Sequence, residues 1–468
     1  MVRIPISFTS WKAAIWRTPK RFSTAYVQGF ACAPSFDRAT SASARYWTFN
    51  ASASLRRGAL NEIRSTKNPT RETAKPITDR TAGEWAGSVS LVVSAIVFAP
   101  IFLVSCLIAD IGASFAFGVL ELGIVLCVYY AVGAVASILA GIWVDRVGAR
   151  ATLVIASLLT GGSALACGFA QSWQTIAVAF GVGGCAGGMA GPAAVRLLVS
   201  AFPPARWAMA FALRQSSVPF TAILIGLYAA GAQSHVGWRV SFFGFAAITG
   251  VIAVATLALG YEGGALKRAP DSGNLRAWTI ALLIVGAVLL GAGVTTFAGF
   301  VVASGIAVGM SPEGASLLLA ASSVVAILAR LFSGWSAGRR SGGHLLRVAV
   351  MLFFGAVGSV AIAYAHDPLP LFVPAIIFVS ATAWASNALF TFAIVNRQAH
   401  APAKATSIVQ IGAFVGSAIG PFVFGFTTEH AGGRVAWLYL ALWFSAASGV
   451  MMLARRTFAV HAPAAPPN

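Results

Sequence analysis

The chain has 468 residues, of which 58% are hydrophobic and only 10% charged, whereas soluble domains carry about 25% charged residues. That deficit excludes a water-soluble globular protein and leaves a lipid-facing surface as the explanation. The formal charge of +19 does not call for nucleic acid, because residues 1–83 alone hold 14 Lys or Arg against 4 Asp or Glu, and short turns carry most of the remainder.

Residues 1–83 form a Ser-, Thr- and Arg-rich, acid-poor arm with no spanning segment, read here as a basic disordered segment. The same composition suits an organelle transit peptide. A gene start placed too far upstream would also produce it, since no Met follows Met1 before Met189. Beyond the arm come apolar blocks of ~20 residues or more, the length that spans a bilayer as a helix. A span must satisfy its backbone polar groups internally, and these blocks lack the alternation of barrel strands. The fold class expected is therefore all-α, a polytopic membrane protein. Twelve spans are predicted, beginning near Ser88, Leu120, Ala151, Gln174, Trp207, Trp238, Ala277, Gly314, Leu346, Pro370, Ala405 and Val435. They group into one bundle at 84–260 and a second at 277–456, with a linker at 261–276 and a tail at 457–468. The cut between the third and fourth spans rests only on Gln171, Ser172 and Gln174.

Positive charges fall on alternate connections: Arg146 and Arg150, Arg206, Lys267 to Arg276, Arg339 to Arg347, Arg397 and Lys404, then Arg455 and Arg456. The positive-inside rule makes these connections cytoplasmic, which puts both termini in the cytoplasm and requires an even number of spans. The expected location is the inner membrane of the cell. The cysteines are scattered singly, without spacing for a metal or a disulfide framework, so neither metal nor cofactor is expected.

An internal repeat supports two like halves. His235-Val236-Gly237-Trp238-Arg239-Val240 recurs as His430-Ala431-Gly432-Gly433-Arg434-Val435, Pro204-Ala205-Arg206 as Pro402-Ala403-Lys404, and Gly141 with Arg146 as Gly334 with Arg339. Two parallel halves about a central axis suit alternating access, with substrate held near the midplane.

Gly141-Ile142-Trp143-Val144-Asp145-Arg146-Val147-Gly148-Ala149-Arg150 resembles the loop signature between the second and third helices of the major facilitator superfamily. Arg214-Gln215 with Val218-Pro219, Gly237-Trp238-Arg239, and Arg330 with Gly334 and Trp335 are similar to patterns of its bacterial members. The resemblance implies twelve helices in two pseudo-symmetric bundles, a secondary transporter and not an enzyme. It also implies a gating loop of Gly141, Asp145, Arg146, Gly148 and Arg150, completed by Arg330, Gly334 and Arg339. In that loop Asp145 would meet an arginine or a helix end and favour the state closed to the cytoplasm. Gly338 stands where the second copy would carry the carboxylate, so the second half is expected to lack that latch.

Ionisable residues within the spans are costly and point to a cavity, a partner or a ligand. They are Glu121, Arg196, Arg214 and Arg330. Arg214 with Gln215 lies too deep for its side chain to reach the interface easily, while Arg196 lies nearer an end. Polar residues expected on the cavity are Ser94, Thr295, Thr296, Trp384 and Asn387. Glu121, at the outer edge, is the best available carboxylate for proton exchange. The spans that line the cavity in the resembled family, the first, fourth, seventh and tenth, contain no acid. Arginines without acids suit a small anionic solute such as a carboxylate metabolite. The alternative is a proton-coupled exporter of drugs or other metabolites. The expected partners are thus the lipid bilayer, a small anionic substrate and a co-transported proton, with no nucleic acid, and the expected state is a monomer.

Overall fold

The computed structural model describes residues 80–202, 207–258, 277–338, 343–365, 368–397 and 402–459. The arm at 1–79, the linker at 261–276 and the tail from 460 lie outside them. Twelve long helices follow in order: α1 Arg80–Cys106, α2 Val119–Val147, α3 Ala149–Gly168, α4 Trp173–Ala201, α5 Trp207–Val236, α6 Trp238–Ala258, α7 Ala277–Ala307, α8 Pro312–Gly338, α9 His344–Ala363, the composite α10 over 368–397, α11 Pro402–Ala431 and α12 Gly433–Ala459. Eleven have the length and apolarity to cross a membrane. The other, α5, is 30 residues long and is made more polar by the run Arg214-Gln215-Ser216-Ser217. A short helix, Ile108–Ser114, links α1 to α2.

Local chemistry explains the breaks. Ser172 caps α4: its Oγ accepts from the Thr175 N–H while Thr175 Oγ1 accepts from the Ser172 N–H at 3.2 Å, a reciprocal cap that satisfies orphan amides. The thin polar cut at Gln171–Gln174 is therefore a real boundary. Gly148, Gly343, Gly237 and Gly432 turn the chain at φ +93°, +74°, +75° and +87°, a region an L side chain enters only at a cost. These four form two pairs, each 195 residues apart, and so carry the internal repeat into the backbone. The repeated arginines behave alike as well. Arg239 donates to the Ala170 carbonyl between α3 and α4, and Arg434 lies 4.1 Å above the Tyr364 ring that follows α9.

The loop carrying Asp145 and the start of α5 mark one end of the molecule, called here the basic end. At the opposite, far end the two halves meet through glycines. A Cβ on Gly123 of α2 would stand 2.6 Å from the Pro421 carbonyl oxygen of α11, and one on Gly226 of α5 would stand 2.7 Å from the Ser316 carbonyl oxygen of α8. Backbones approach this closely only where side chains are absent. The far end is sealed, and the space between the halves lies toward the basic end.

Candidate functional site

The loop between α2 and α3 is built by Gly148, whose N–H closes α2 on the Val144 carbonyl at 3.0 Å. Asp145 is thereby left at the end of α2, with its side chain 80% exposed, and it accepts from Arg196 Nη1 at 2.7 Å. The same nitrogen donates to the Val144 carbonyl at 2.8 Å. Arg196, expected among the substrate groups, is instead the partner of the loop carboxylate, because its place near the end of α4 lies within reach of the end of α2. Both residues belong to the first half, so this contact ties α2 to α4 and does not bridge the halves. Arg150 donates to the Leu257 carbonyl and caps the end of α6, while Arg146 is exposed. In the second copy, Arg347 Nη1 reaches Ser336 Oγ at 3.3 Å and Gly338 ends α8. Gly141 sits inside α2 and Gly334 is exposed on α8; Arg339 lies outside the described residues.

Between the halves is a cavity of about 130 Å³. Of the residues expected there, the structure brings Arg214, Gln215, Thr295, Trp384 and Asn387 onto its wall, together with Arg330. Arg330 was expected at the gate, by its spacing from Gly334. Its place eight residues before the end of α8, about 12 Å at 1.5 Å per residue, sets it level with Arg214, seven residues into α5. It therefore belongs to the cavity.

Arg330 is 4% exposed. Its Nη1 donates to the Gln215 carbonyl in the other half at 2.6 Å, and its Nη2 to the Trp384 carbonyl at 2.9 Å. That second bond falls at a wide π turn, Ser380–Trp384, inside α10, a feature frequent at functional sites. Gln215 Nε2 also reaches Thr391 Oγ1 of α10 at 3.4 Å. Arg214 makes no such hydrogen bonds, the Nε of both Arg214 and Arg330 is buried without an acceptor, and no carboxylate pairs with either among the described residues. Buried charge without a counter-charge is costly, and a water-filled or ligand-filled cavity is the setting that relieves it.

Three expected positions lie elsewhere. Glu121 Oε2 accepts from the Gly118 N–H at 2.8 Å and caps α2 at the far end, away from the cavity. Thr296 is buried in the seam between α7 and α11, where its Oγ1 lies 2.6 Å from where a Gly420 Cβ would stand. Ser94 is buried outside the lining. The helical period explains Thr296, since its neighbour Thr295 faces the cavity and adjacent residues diverge by about 100°. Sequence reasoning missed Phe98, Tyr130, Thr391, Gln410 and Phe414, all of which line the space. Gln410 was legible as a polar residue within a span, but the aromatics look like any core residue until the helices are packed.

Among solved structures the chain is similar to a bacterial homolog of the human lysosomal transporter Spinster, in its inward-facing and unoccupied conformation. The TM-score is 0.65 at 15% identity, over 82% of this chain and 99% of that one. It is also similar to the Escherichia coli fucose:proton symporter FucP, with a TM-score of 0.58 at 16% identity, over 81% and 98%. The same transporter in the outward conformation gives 0.57 at 15% identity, over 79% and 99%. No curated protein sequence gives a match. Residues 90–402 match the family described as the Major Facilitator Superfamily. With twelve helices in two repeated halves about a central cavity, the chain belongs to that superfamily and is a membrane-spanning secondary transporter.

Proposed function

We propose that this transporter carries a small organic anion, a carboxylate above all, by alternating access across the inner membrane. The observation that supports this reading is the pair Arg214 and Arg330, level with each other on the cavity wall and without a carboxylate partner among the described residues. A guanidinium held on a cavity wall is matched best by a carboxylate, through charge-assisted and often bidentate hydrogen bonds. The size of the cavity argues in the same direction. About 130 Å³ suits a small metabolite, whereas drug-sized ligands occupy sites of roughly 300–1,000 Å³, so drug export is the less supported alternative.

In this reading the basic end faces the cytoplasm, by the positive-inside rule, and both termini lie on that side. Glu121 caps a helix at the sealed end, and the described cavity wall carries no acid. A co-transported proton would then arrive on the substrate or be replaced by exchange against a second anion. The test is uptake of a panel of small organic anions into vesicles reconstituted with the full chain, at two pH values, comparing wild type with Arg214→Ala. Anion uptake that falls at least tenfold in the variant is expected. Undiminished uptake of every accepted anion in Arg214→Ala would remove the basis of the assignment.

A further inference from the structure

We infer that the anion is a monocarboxylate carrying a single apolar ring, bound by Arg214 at one end and by an aromatic floor at the other. This refines the anion reading and rests on it. The two arginines are not equivalent. Each terminal nitrogen of Arg330 donates one hydrogen bond to a main-chain carbonyl, those of Gln215 and Trp384, which commits two of its five N–H groups to the wall, while its Nε, like that of Arg214, is buried without an acceptor. Arg214 has no acceptor for its guanidinium among the described residues, and its Nε is buried and unpartnered. One unfilled fork takes one carboxylate.

The remainder of the cavity decides what that carboxylate is attached to. Beyond the arginines, farther from the basic end, the space is bounded by Phe98, Phe102, Tyr130 and Phe414. Tyr130 and Phe414 come from opposite halves and meet edge to face at 5.8 Å. Phe98 packs on Tyr129 at 6.5 Å, and the Tyr129 hydroxyl is anchored on the Val97 carbonyl at 2.6 Å. The rings are thus braced in place. Among the described residues no cation lies between them to receive a second carboxylate, and a second charge there would be desolvated without an ionic partner. The volume of about 130 Å³ is close to the roughly 150 Å³ apolar cavity that accommodates benzene, so there is room for one ring. Walls of this kind hold a ring through edge and face contacts that a two-carbon acid cannot make.

Benzoate is the probe. The full chain is reconstituted into liposomes loaded with unlabelled benzoate at pH 7.5. Entry of radiolabelled benzoate is then measured against protein-free liposomes, with acetate, succinate or benzamide as competitor. Exchange of benzoate is expected, with at least tenfold more acetate or succinate than unlabelled benzoate needed to halve it, and with benzamide ineffective. Arg214→Gln should reduce exchange at least tenfold and Arg214→Lys less, since the ammonium keeps the charge and loses the fork. Phe98→Ala should bring the acetate-to-benzoate ratio toward one. Continued competition by acetate in that variant would show that it is folded.

Acetate or succinate competing as well as benzoate in wild type would overturn the single-ring monocarboxylate while leaving the anion reading in place. Benzamide competing as well as benzoate would overturn both. Full benzoate exchange in Arg214→Gln would likewise overturn the assigned role of Arg214.

Discussion

At the residue scale the arginines divide by what they touch. Arg196 has a carboxylate and a carbonyl, Arg330 has two carbonyls from different halves, and Arg214 has neither. The Asp145–Arg196 bond is short, yet Asp145 is 80% exposed, and exposed pairs contribute roughly 0–1 kcal/mol. Such a bond can bias the loop without holding the fold together. Asp145→Asn is accordingly expected to lower transport several-fold in vesicle uptake and to leave the melting temperature nearly unchanged; a change at Gly338 should matter less. Arg330→Ala should be more damaging, because it leaves two buried carbonyl oxygens without their donor at about 1–3 kcal/mol each. A lowered melting temperature together with lost uptake would show it, whereas a variant as stable as wild type would argue against the wall-building role. The identity of these residues as buried charges was legible in the sequence. Their partners were not, since each partner is a main-chain or side-chain atom from a helix remote in the chain.

At the element scale, helix ends follow local rules while helix faces follow packing. The reciprocal Ser172–Thr175 cap can be read from the residues themselves. Ser172→Ala should cost about 1 kcal/mol, measured as a lower melting temperature in detergent with uptake retained. Gly148 and Gly343 both turn the chain at positive φ, Gly343 in the left-handed region and Gly148 in an extended region open only to glycine, where an L residue costs roughly 1–3 kcal/mol. Face assignment was harder. Thr295 and Thr296 were equal candidates by type, and only the placement of α7 against α11 turned the first to the cavity and the second into the seam. The π turn in α10 belongs to the same class of feature: nothing in Ser380-Ala381-Thr382-Ala383-Trp384 signals a widened helix by composition.

At the scale of the whole molecule, close backbone contacts between the halves form part of the far-end seal. Gly123 against Pro421 and Gly226 against Ser316 require the absence of a side chain in this state. Gly123→Val is therefore expected to disfavour the far-end seal and shift the population toward the opposite state. The distance between spin labels placed on α2 and α11 at the far end would report it, and an unchanged distance distribution would count against the glycine seam as the closing surface. A shift from mostly one state to mostly the other needs a few kcal/mol of difference between them. A Cβ forced to within 2.6 Å of a carbonyl oxygen is a clash of the right kind.

Composition and span length were enough to establish an all-helical membrane protein of twelve spans. Lipid forbids unsatisfied backbone, so long apolar blocks have almost no other solution. The 195-residue repeat was equally readable, because both halves need the same turns at the same places and glycine is the residue that makes them. The assembly of the cavity was decided only by tertiary structure. Arg330 moved from the presumed gate to the cavity wall, Arg196 from the cavity to the loop, and Glu121 to a helix cap. A buried charge announces its cost in the sequence, but what offsets that cost is set by the angle and register at which distant helices meet, which no local pattern encodes.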